Sequence, residues 1–414
     1  MYQPLRAQLI TSGGHSFRRA VMIKNPSASQ VRENSRLLEI SGLKTTFRTF
    51  AGIVKALQGI DLKMSKGETL GLVGETGCGK SVTALSILRL LPGPSGKIVG
   101  GEIIFDGSSL TDLSDEQIRK IRGNKISIVF QEPMTSLNPV LKVGEQIAEV
   151  VLLHQNLDHE ALILKIQRMK EQKTWLELRG LGLLSKLLRL DEKIRDFEQG
   201  ADNLMRPSAS EKRQVAMSKA VSMLKQLGVP DPDRAVERYP HELSGGMRQR
   251  AMIAMALACK PSLLIADEPT TALDVTIQAQ IIELLKELKS RMDTSILLIT
   301  HHLGLVAEMC DKVAVMYAGR IVEYSETMNL FRSPYHPYTR GLLGSIPSTT
   351  KVKDRLEVIP GSVPDMIHPP NGCNFHPRCR YSSEVCSQSE PTLREVENQH
   401  FVSCFLYGED HDEG

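Results

Sequence analysis

At residues 74–81 the chain reads Gly74-Glu75-Thr76-Gly77-Cys78-Gly79-Lys80-Ser81, which fits the pattern G-x-x-x-x-G-K-S. An apolar run at 70–73 precedes these residues, and a helix-forming stretch follows them. A strand, a glycine-rich turn and a helix in this order let backbone N–H groups converge on phosphate oxygens at a helix N-terminus. The glycines permit the close approach and the positive φ angles of such a turn. The sequence therefore predicts a binding site for a nucleoside triphosphate.

Two side chains of this loop carry chemistry of their own. Lys80 supplies a positive charge for the β- and γ-phosphates, and Ser81 offers a hydroxyl to Mg²⁺. We expect the whole loop and the residue after it to contact the nucleotide, which gives the set Gly74, Glu75, Thr76, Gly77, Cys78, Gly79, Lys80, Ser81 and Val82. Cys78 stands near a helix N-terminus, where a thiol pKa is often lowered, so it is a candidate for alkylation or oxidation. The alternative for Cys78 is an unreactive small residue.

The overall composition is that of an ordinary globular protein. The chain has 414 residues, of which 41% are hydrophobic, and 51 basic and 48 acidic side chains give a formal net charge of +3. This balance argues against nucleic acid or an anionic membrane as the main partner. No apolar run approaches the roughly 20 residues that cross a bilayer, and the N-terminal region lacks the continuous apolar segment of a signal peptide. We expect a cytosolic protein with one large domain and an appendage.

The first part of the chain predicts an extension followed by a small sheet. Residues 1–35 are polar and basic without periodicity, so we expect them to be flexible. Short strand-like runs begin at residue 37 and indicate an antiparallel sheet beside a main parallel one. Phe47 and Phe50 lie between two of these runs. We expect one of them, with Phe47 as the chosen candidate, to stack on an adenine ring; core packing is the alternative.

Polar side chains stand at the ends of three apolar, strand-like runs further along the chain. Ligands of open α/β sheets lie at the carboxyl ends of the strands, so these side chains are expected to meet. Asp267 is suited to hold Mg²⁺, and Glu268 to polarise a water for attack on the γ-phosphate. Gln131 can ligate Mg²⁺ or orient that water, and His301 can contact the γ-phosphate.

A helical region separates the first two of these strand ends. Residues 149–227 carry helical spacing and almost no strand signal, which predicts a helical subdomain over about 140–260. Its charged middle stretch is either a contact surface for a partner or a solvated helical hairpin. Ser244 is placed to cap a helix that opens with two glycines. The sequence thus predicts a second anion-binding helix terminus.

Taken in order, these residues resemble the ATP-binding subunits of ABC transporters. The matching elements are the Walker A motif at 74–81, the Q-loop Gln131, the signature at 243–247, the Walker B motif at 263–267, the catalytic Glu268, the D-loop at 272–274 and the switch His301. The resemblance implies an α/β P-loop NTPase core with a small antiparallel β subdomain and a helical signature subdomain. It also implies that two subunits pack head to tail. The residues that would face the ATP of the other subunit are Ser244, Gly245, Gly246 and Asp274.

Three further stretches, at 130–139, 239–242 and 336–343, are similar to the dipeptide/oligopeptide importer branch of this family. That branch also includes nickel and oligosaccharide importers. The resemblance implies an ATPase whose dimer closure drives peptide import through two separate permease subunits. Its other partners would be a second ATPase subunit, either a paralogue or another copy, and indirectly an extracytoplasmic substrate-binding protein. The protein would lie peripherally at the cytoplasmic face of the inner membrane, and no nucleic acid is expected.

The same resemblance divides the chain into an ATPase domain at 36–325 and a C-terminal extension at 326–414. Residues 165–214 have no counterpart in the usual sequence of this family and are expected to be an insertion. Because this insertion is charged, a soluble ABC protein acting on DNA or ribosomes is kept as an alternative. His302 stands where the family usually has Asp, which puts a local hydrogen bond in doubt.

Four of the seven cysteines fall in the extension, namely Cys373, Cys379, Cys386 and Cys404. In a reducing compartment such clustering favours a metal over disulfides. The intervals of five, six and seventeen residues are not the short knuckles of structural zinc sites. The resemblance implies a 4Fe-4S cluster on these cysteines. Zinc and unligated thiols are the alternatives, and His376 is a less favoured substitute ligand.

Overall fold

The computed structural model describes residues 36–178, 207–271, 274–345 and 358–407. Four predicted segments therefore lie wholly or partly outside the described residues: the flexible extension at 1–35, the middle of the insertion at 165–214, residues 272 and 273 of the D-loop, and residues 346–357 and 408–414 of the C-terminal extension. The part from Arg36 onward forms a compact unit of its own. Within the described ranges, no helix combines the length and apolar character needed to span a membrane.

An antiparallel sheet begins the described chain. Its strands follow the order β2-β1-β4-β5, and they are β1 Arg36–Thr49, β2 Gly52–Ser65, β4 Gly96–Phe105 and β5 Ser108–Ser109. Strand β1 pairs with β2 along nearly its whole length and with β4 on its other edge. Residues on alternate positions, such as Leu38, Ile40 and Leu62, are buried, as expected for a sheet with one covered face.

The main sheet has the strand order β11-β12-β10-β9-β3-β8-β7-β6. Its parallel part consists of β3 Thr69–Val73, β6 Ile126–Val129, β7 Leu263–Asp267, β8 Ser295–Thr300 and β9 Lys312–Tyr317. The antiparallel strands at one edge are β10 Arg320–Glu326, β11 Arg394–Glu397 and β12 His400–Val402. Every residue of β3, β7 and β8 is buried, which is typical of parallel strands covered on both faces.

The two faces of this sheet contribute to two separate cores. Successive residues of a strand point to opposite faces. Accordingly Leu263 and Ile265 join a core with the antiparallel sheet. Their neighbours Leu264 and Ala266 join the core that contains residues of the long helices, such as Ile281.

Helices connect the strands and form the subdomain between β6 and β7. They are α1 Lys80–Ile87, α2 Asp115–Ile121, α3 Pro133–Ser136, α4 Val143–His154, α5 Asp158–Leu178, α6 Ala209–Gln226, α7 Pro232–Ala235, α8 Gly245–Leu257, α9 Val275–Met292, α10 Leu303–Met309, α11 Thr327–Arg332, α12 Pro337–Gly344 and α13 Glu384–Gln388. Helix α6 packs against both α4 and α5. The two described ends of the predicted insertion lie largely in α5 and α6 and are therefore mostly helical.

The C-terminal part is joined to the main sheet by a buried carboxylate on β10. Glu323 is fully buried and accepts hydrogen bonds from the backbone N–H groups of Tyr335, at 2.7 Å, and His336, at 2.9 Å. Nε2 of His400, on β12, lies 2.7 Å from the same carboxylate. One side chain therefore fixes both the start of α12 and the strand that extends the sheet.

Candidate functional site

The glycine-rich loop connects β3 to α1 at the carboxyl end of the parallel strands. Gly79 caps α1 with a φ angle of 110°, in the range that favours glycine. A Cβ atom added to Gly74 would lie 2.1 Å from the carbonyl oxygen of Met316, on the neighbouring strand. Both glycines are therefore required by the backbone itself. Thr76, Gly77 and Ser81 are exposed and mark the accessible side of the loop.

Lys80 lies inside the curve of this loop. Its Nζ atom donates to the carbonyl oxygens of Gly74, at 2.8 Å, and Glu75, at 3.0 Å, and the side chain is buried. A buried ammonium group beside a ring of backbone N–H groups is a strong attractor for phosphate.

Asp267 ends β7 next to the loop and is buried. Burial raises the pKa of its carboxyl group, and a hydrogen bond from the Ser81 hydroxyl offsets part of that effect. Its Oδ1 atom is buried without a hydrogen-bond partner. A partnerless carboxylate oxygen beside a hydroxyl fits a Mg²⁺ ion, which binds oxygen ligands and commonly uses one or two carboxylates.

Glu268 follows directly and is held by three side chains. Gln131 Nε2 donates to its Oε2 at 2.9 Å, Thr271 Oγ1 donates to the same atom at 3.0 Å, and His301 Nδ1 lies 3.0 Å from Oε1. Burial acts to raise the pKa of Glu268, but the hydrogen bonds from His301 and Thr271 outweigh it and lower the pKa overall. The site therefore keeps this carboxylate ionised and oriented.

The backbone conformation of Glu268 also indicates a functional position. Its φ angle is 46°, a left-handed conformation that is uncommon for a residue with a Cβ atom. Its N–H donates to the Ile299 carbonyl on β8 at 2.8 Å, which fixes the turn. Such strained residues cluster at functional sites, where the surrounding structure over-determines their conformation.

The structure thus brings four predicted strand-end residues together: Gln131, Asp267, Glu268 and His301. It does not bring the predicted signature residues to the loop. Ser244 caps α8, with Oγ accepting from the Met247 N–H at 3.3 Å, and Asp274 caps α9. In the described part of the chain, neither side chain hydrogen-bonds to the phosphate loop, and both are exposed.

The two phenylalanines differ in their surroundings. Phe50 is fully exposed in the turn after β1. Phe47 is half-buried, and its ring lies so close to Gly96 that an added Cβ atom there would be 2.7 Å from it. Part of the Phe47 side chain therefore packs against the strand that contains Gly96, and its contact with adenine remains a prediction.

The structure shows the surroundings of two residues singled out in the sequence, Cys78 and His302. Of the two interpretations of Cys78, the structure supports the unreactive small residue, because burial raises the pKa of this thiol despite the nearby Lys80. The helix-terminus argument assumed an accessible thiol, whereas this one is fully buried. His302 caps α10, with Nδ1 accepting from the Leu305 N–H at 3.4 Å, so a local hydrogen bond is present at the position where the family usually has Asp.

Two residues at the loop were missed by sequence reasoning. The Tyr338 hydroxyl accepts a hydrogen bond from the Glu75 N–H at 2.8 Å. Arg378 donates to both carboxylate oxygens of Glu75, at 2.7 and 3.1 Å. Tyr338 belongs to a stretch already quoted as similar to peptide importers, but its spacing from the loop gives no signal of contact.

The four cysteines of the extension are all free thiols. Burial, together with the charges that Cys373, Cys379 and Cys386 would carry, raises the pKa of Cys404 to about 11. The four thiols are therefore near enough to influence one another. In the residues that the structure describes, however, no group of three or more His, Cys, Asp and Glu side chains is arranged to hold a metal ion. His376 Nδ1 is engaged with the Cys373 carbonyl, 2.9 Å away.

Comparison with protein families identifies the chain. A family model described as ABC transporter matches residues 57–271, and one described as oligopeptide/dipeptide transporter, C-terminal region, matches residues 322–386. The chain belongs to the oligopeptide/dipeptide branch of the ABC transporter ATP-binding proteins. The predicted resemblance is confirmed.

Individual relatives cover almost the whole chain. A probable peptide ABC transporter ATP-binding protein of Sinorhizobium fredii is 46% identical over 90% of this chain and 96% of its own length. The oligopeptide transport ATP-binding protein OppD of Bacillus subtilis is 43% identical over 90% of this chain and 89% of its own length. The dipeptide transport ATP-binding protein DppD of the same organism is 42% identical over 90% of this chain.

Solved structures confirm the fold class. The ATP-binding cassette MJ0796, in a dimeric post-hydrolysis state with ADP and phosphate, superposes with a TM-score of 0.51. The match covers 70% of this ABC ATPase and 99% of MJ0796, at 24% sequence identity. The cassette fold of the chain is thereby established.

Proposed function

We propose that this ABC ATPase hydrolyses MgATP at the site formed by the phosphate loop and the strand ends, and that this powers import of di- or oligopeptides. The observation that carries the proposal is the ionised Glu268 carboxylate, held by Gln131, Thr271 and His301 beside the loop. The names of the relatives, which are peptide and oligopeptide transport proteins, support the cargo class.

The roles of the individual residues follow from their positions. Backbone N–H groups of the loop and the Lys80 ammonium bind the phosphates. Ser81 and Asp267, with Gln131 beside them, would hold Mg²⁺; when bound, that ion neutralises charge that builds up between the β- and γ-phosphates. Glu268 accepts a hydrogen bond from the attacking water and orients it in line with the γ-phosphate. His301 steadies the Glu268 carboxylate and can reach the γ-phosphate from the same edge.

The signature residues are proposed to act on a second cassette. Ser244 and Asp274 are exposed helix caps away from their own loop, and α8 presents free N–H groups at its start. In a head-to-tail pair, Ser244, Gly245 and Gly246 of one subunit would close over the ATP of the other. Loss of the γ-phosphate removes those contacts and opens the pair. The second cassette would be a paralogue or another copy, and two permeases would take up the motion at the cytoplasmic face of the membrane.

We also propose that the extension holds a 4Fe-4S cluster on Cys373, Cys379, Cys386 and Cys404. Four free thiols within one extension form a donor set of the type that holds such a cluster. A zinc ion on four thiolates is the alternative for the same donor set. Iron, sulfide and zinc analysis of protein purified without oxygen tests this assignment. Zinc in place of iron and sulfide, or neither metal, would contradict it.

The function as a whole is tested by purifying the tagged, full-length protein from its own membranes and identifying what accompanies it. We expect two multi-span permeases and a second ATPase, together with peptide uptake that is lost when the gene for this chain is deleted. Recovery of ribosomes or DNA-bound proteins would overturn the proposal. Uptake of nickel or oligosaccharides, but not of peptides, would correct the cargo.

A further inference from the structure

Two residues of the C-terminal extension hold one residue of the phosphate loop, Glu75. Glu75 has three polar groups, and each has a partner. Its N–H donates to the Tyr338 hydroxyl at 2.8 Å, and its carbonyl accepts from Lys80 at 3.0 Å. Its carboxylate receives two hydrogen bonds from Arg378. The Cys78 N–H also donates to the Glu75 carbonyl, at 3.3 Å, so two of the four partners are residues of the extension, more than 250 positions away in sequence.

The two partners from the extension are themselves held rigidly. The Arg378 side chain is only 6% exposed, although Glu75 is 29% exposed. The guanidinium group lies over the rings of Tyr317 and Phe375, at 5.6 and 6.0 Å from their centroids. Tyr317 packs against Tyr338 with ring centroids 4.7 Å apart, and both side chains are fully buried. This geometry gives a preorganised support for the loop.

The extension also contacts the main sheet at places other than the loop. The Glu323 carboxylate already joins α12 and β12 to the main sheet, at a different place from the loop. Arg340 secures the end of the described chain by donating to the Tyr407 hydroxyl at 2.7 Å. A pair of contacts on the loop, beyond those that attach the extension, indicates a function at the loop itself.

We propose that Tyr338 and Arg378 are positioning residues of the ATP site, and that they set the conformation of the phosphate loop through Glu75. This inference rests on the proposed nucleotide site. In this account the extension adjusts how tightly the loop binds the phosphates. The chemical step depends on Glu268, which is held by Gln131, Thr271 and His301 and not by the extension, so it should be affected little. The extension thereby supports the nucleotide site through its contacts with Glu75.

The test measures ATP hydrolysis and binding of a non-hydrolysable ATP analogue with Mg²⁺ by full-length variants. Arg378→Met and Tyr338→Phe should each raise KM and weaken analogue binding by about tenfold, with kcat within twofold, because uniform binding is lost. Arg378→Lys should recover part of the affinity. Arg340→Met removes an arginine whose hydrogen bonds, within the described ranges, go to Pro334 and Tyr407 of the extension. This variant should bind and hydrolyse ATP as the unmodified protein does.

A double-variant comparison tests whether Arg378 acts through Glu75. If it does, Glu75→Gln combined with Arg378→Met should bind no more weakly than the weaker single variant. Additive losses would contradict the inference, as would unchanged affinity in both Arg378→Met and Tyr338→Phe. A fall in kcat with unchanged KM would also contradict it. Thermal unfolding of each variant identifies those that are misfolded, and Tyr338→Phe, which removes one hydroxyl, keeps the test available if Arg378→Met does not fold.

Lys80→Ala separates this inference from the proposed function. We expect it to abolish analogue binding. If Lys80→Ala binds normally, the proposed nucleotide site is wrong. If Lys80→Ala fails to bind while Arg378→Met and Tyr338→Phe bind normally, only the inference about the extension is wrong.

Discussion

Substituting Glu323 by Gln should loosen the C-terminal extension from the ABC ATPase core. Glu323 is fully buried, and its two oxygens accept separate backbone hydrogen bonds from Tyr335 and His336. A glutamine keeps one acceptor oxygen and turns an NH₂ group toward the other N–H. One hydrogen bond to a charged group is lost and one buried donor is left without a partner, so we expect a loss of about 3 kcal/mol in the free energy of unfolding.

Chemical denaturation followed by circular dichroism measures this loss, and limited proteolysis shows whether cleavage moves to the extension. Glu326→Gln is the matched control, because Glu326 is an exposed residue on the same strand. It should change stability by less than about 0.5 kcal/mol. Equal effects of the two substitutions, or a Glu323→Gln variant as stable as the unmodified protein, would refute the role given to this carboxylate.

Two further predictions concern other buried groups. Burial lowers the pKa of His336 to about 4, below its ordinary value of 6.5, so the unfolded chain takes up its proton first and stability should fall as the pH drops from about 6.5 to about 4. His336→Asn, which keeps an acceptor for the Tyr338 N–H, should flatten that part of the pH profile; an unchanged slope would contradict it. Cys78 is buried with a raised pKa, so alkylation by a maleimide at neutral pH should be much slower than that of a small model thiol. Mass spectrometry of the labelled peptide measures the rate, and rapid labelling would show the thiol to be accessible.

The meeting of the strand-end residues could be predicted from the sequence. Gln131, Glu268 and His301 each follow an apolar run, and parallel strands place their carboxyl ends at one edge of the sheet. The structure joins all three by hydrogen bonds. The glycine-rich turn of the loop could also be predicted from the sequence, because an apolar run precedes it and a helix-forming stretch follows it.

Contacts between distant parts of the chain could not be predicted in this way. Arg378 and Glu75 are 303 positions apart, and nothing in local spacing or periodicity links them. The choice between the two interpretations of Cys78 depended on burial in the same way: the helix terminus was visible in the sequence, but the burial that raises the thiol pKa was not. The cofactor of the four cysteines likewise depends on the relative positions of thiols from separate segments.

The central claim is that Glu268 is the residue that activates water for ATP hydrolysis. The most direct measurement is the steady-state ATPase rate of Glu268→Gln beside its equilibrium affinity for MgATP. Glutamine can still accept hydrogen bonds from Gln131 and Thr271, but it cannot take up a proton, so kcat should fall by about 10²–10⁴-fold while ATP still binds. Hydrolysis at the unmodified rate, with ATP bound normally, would contradict the account.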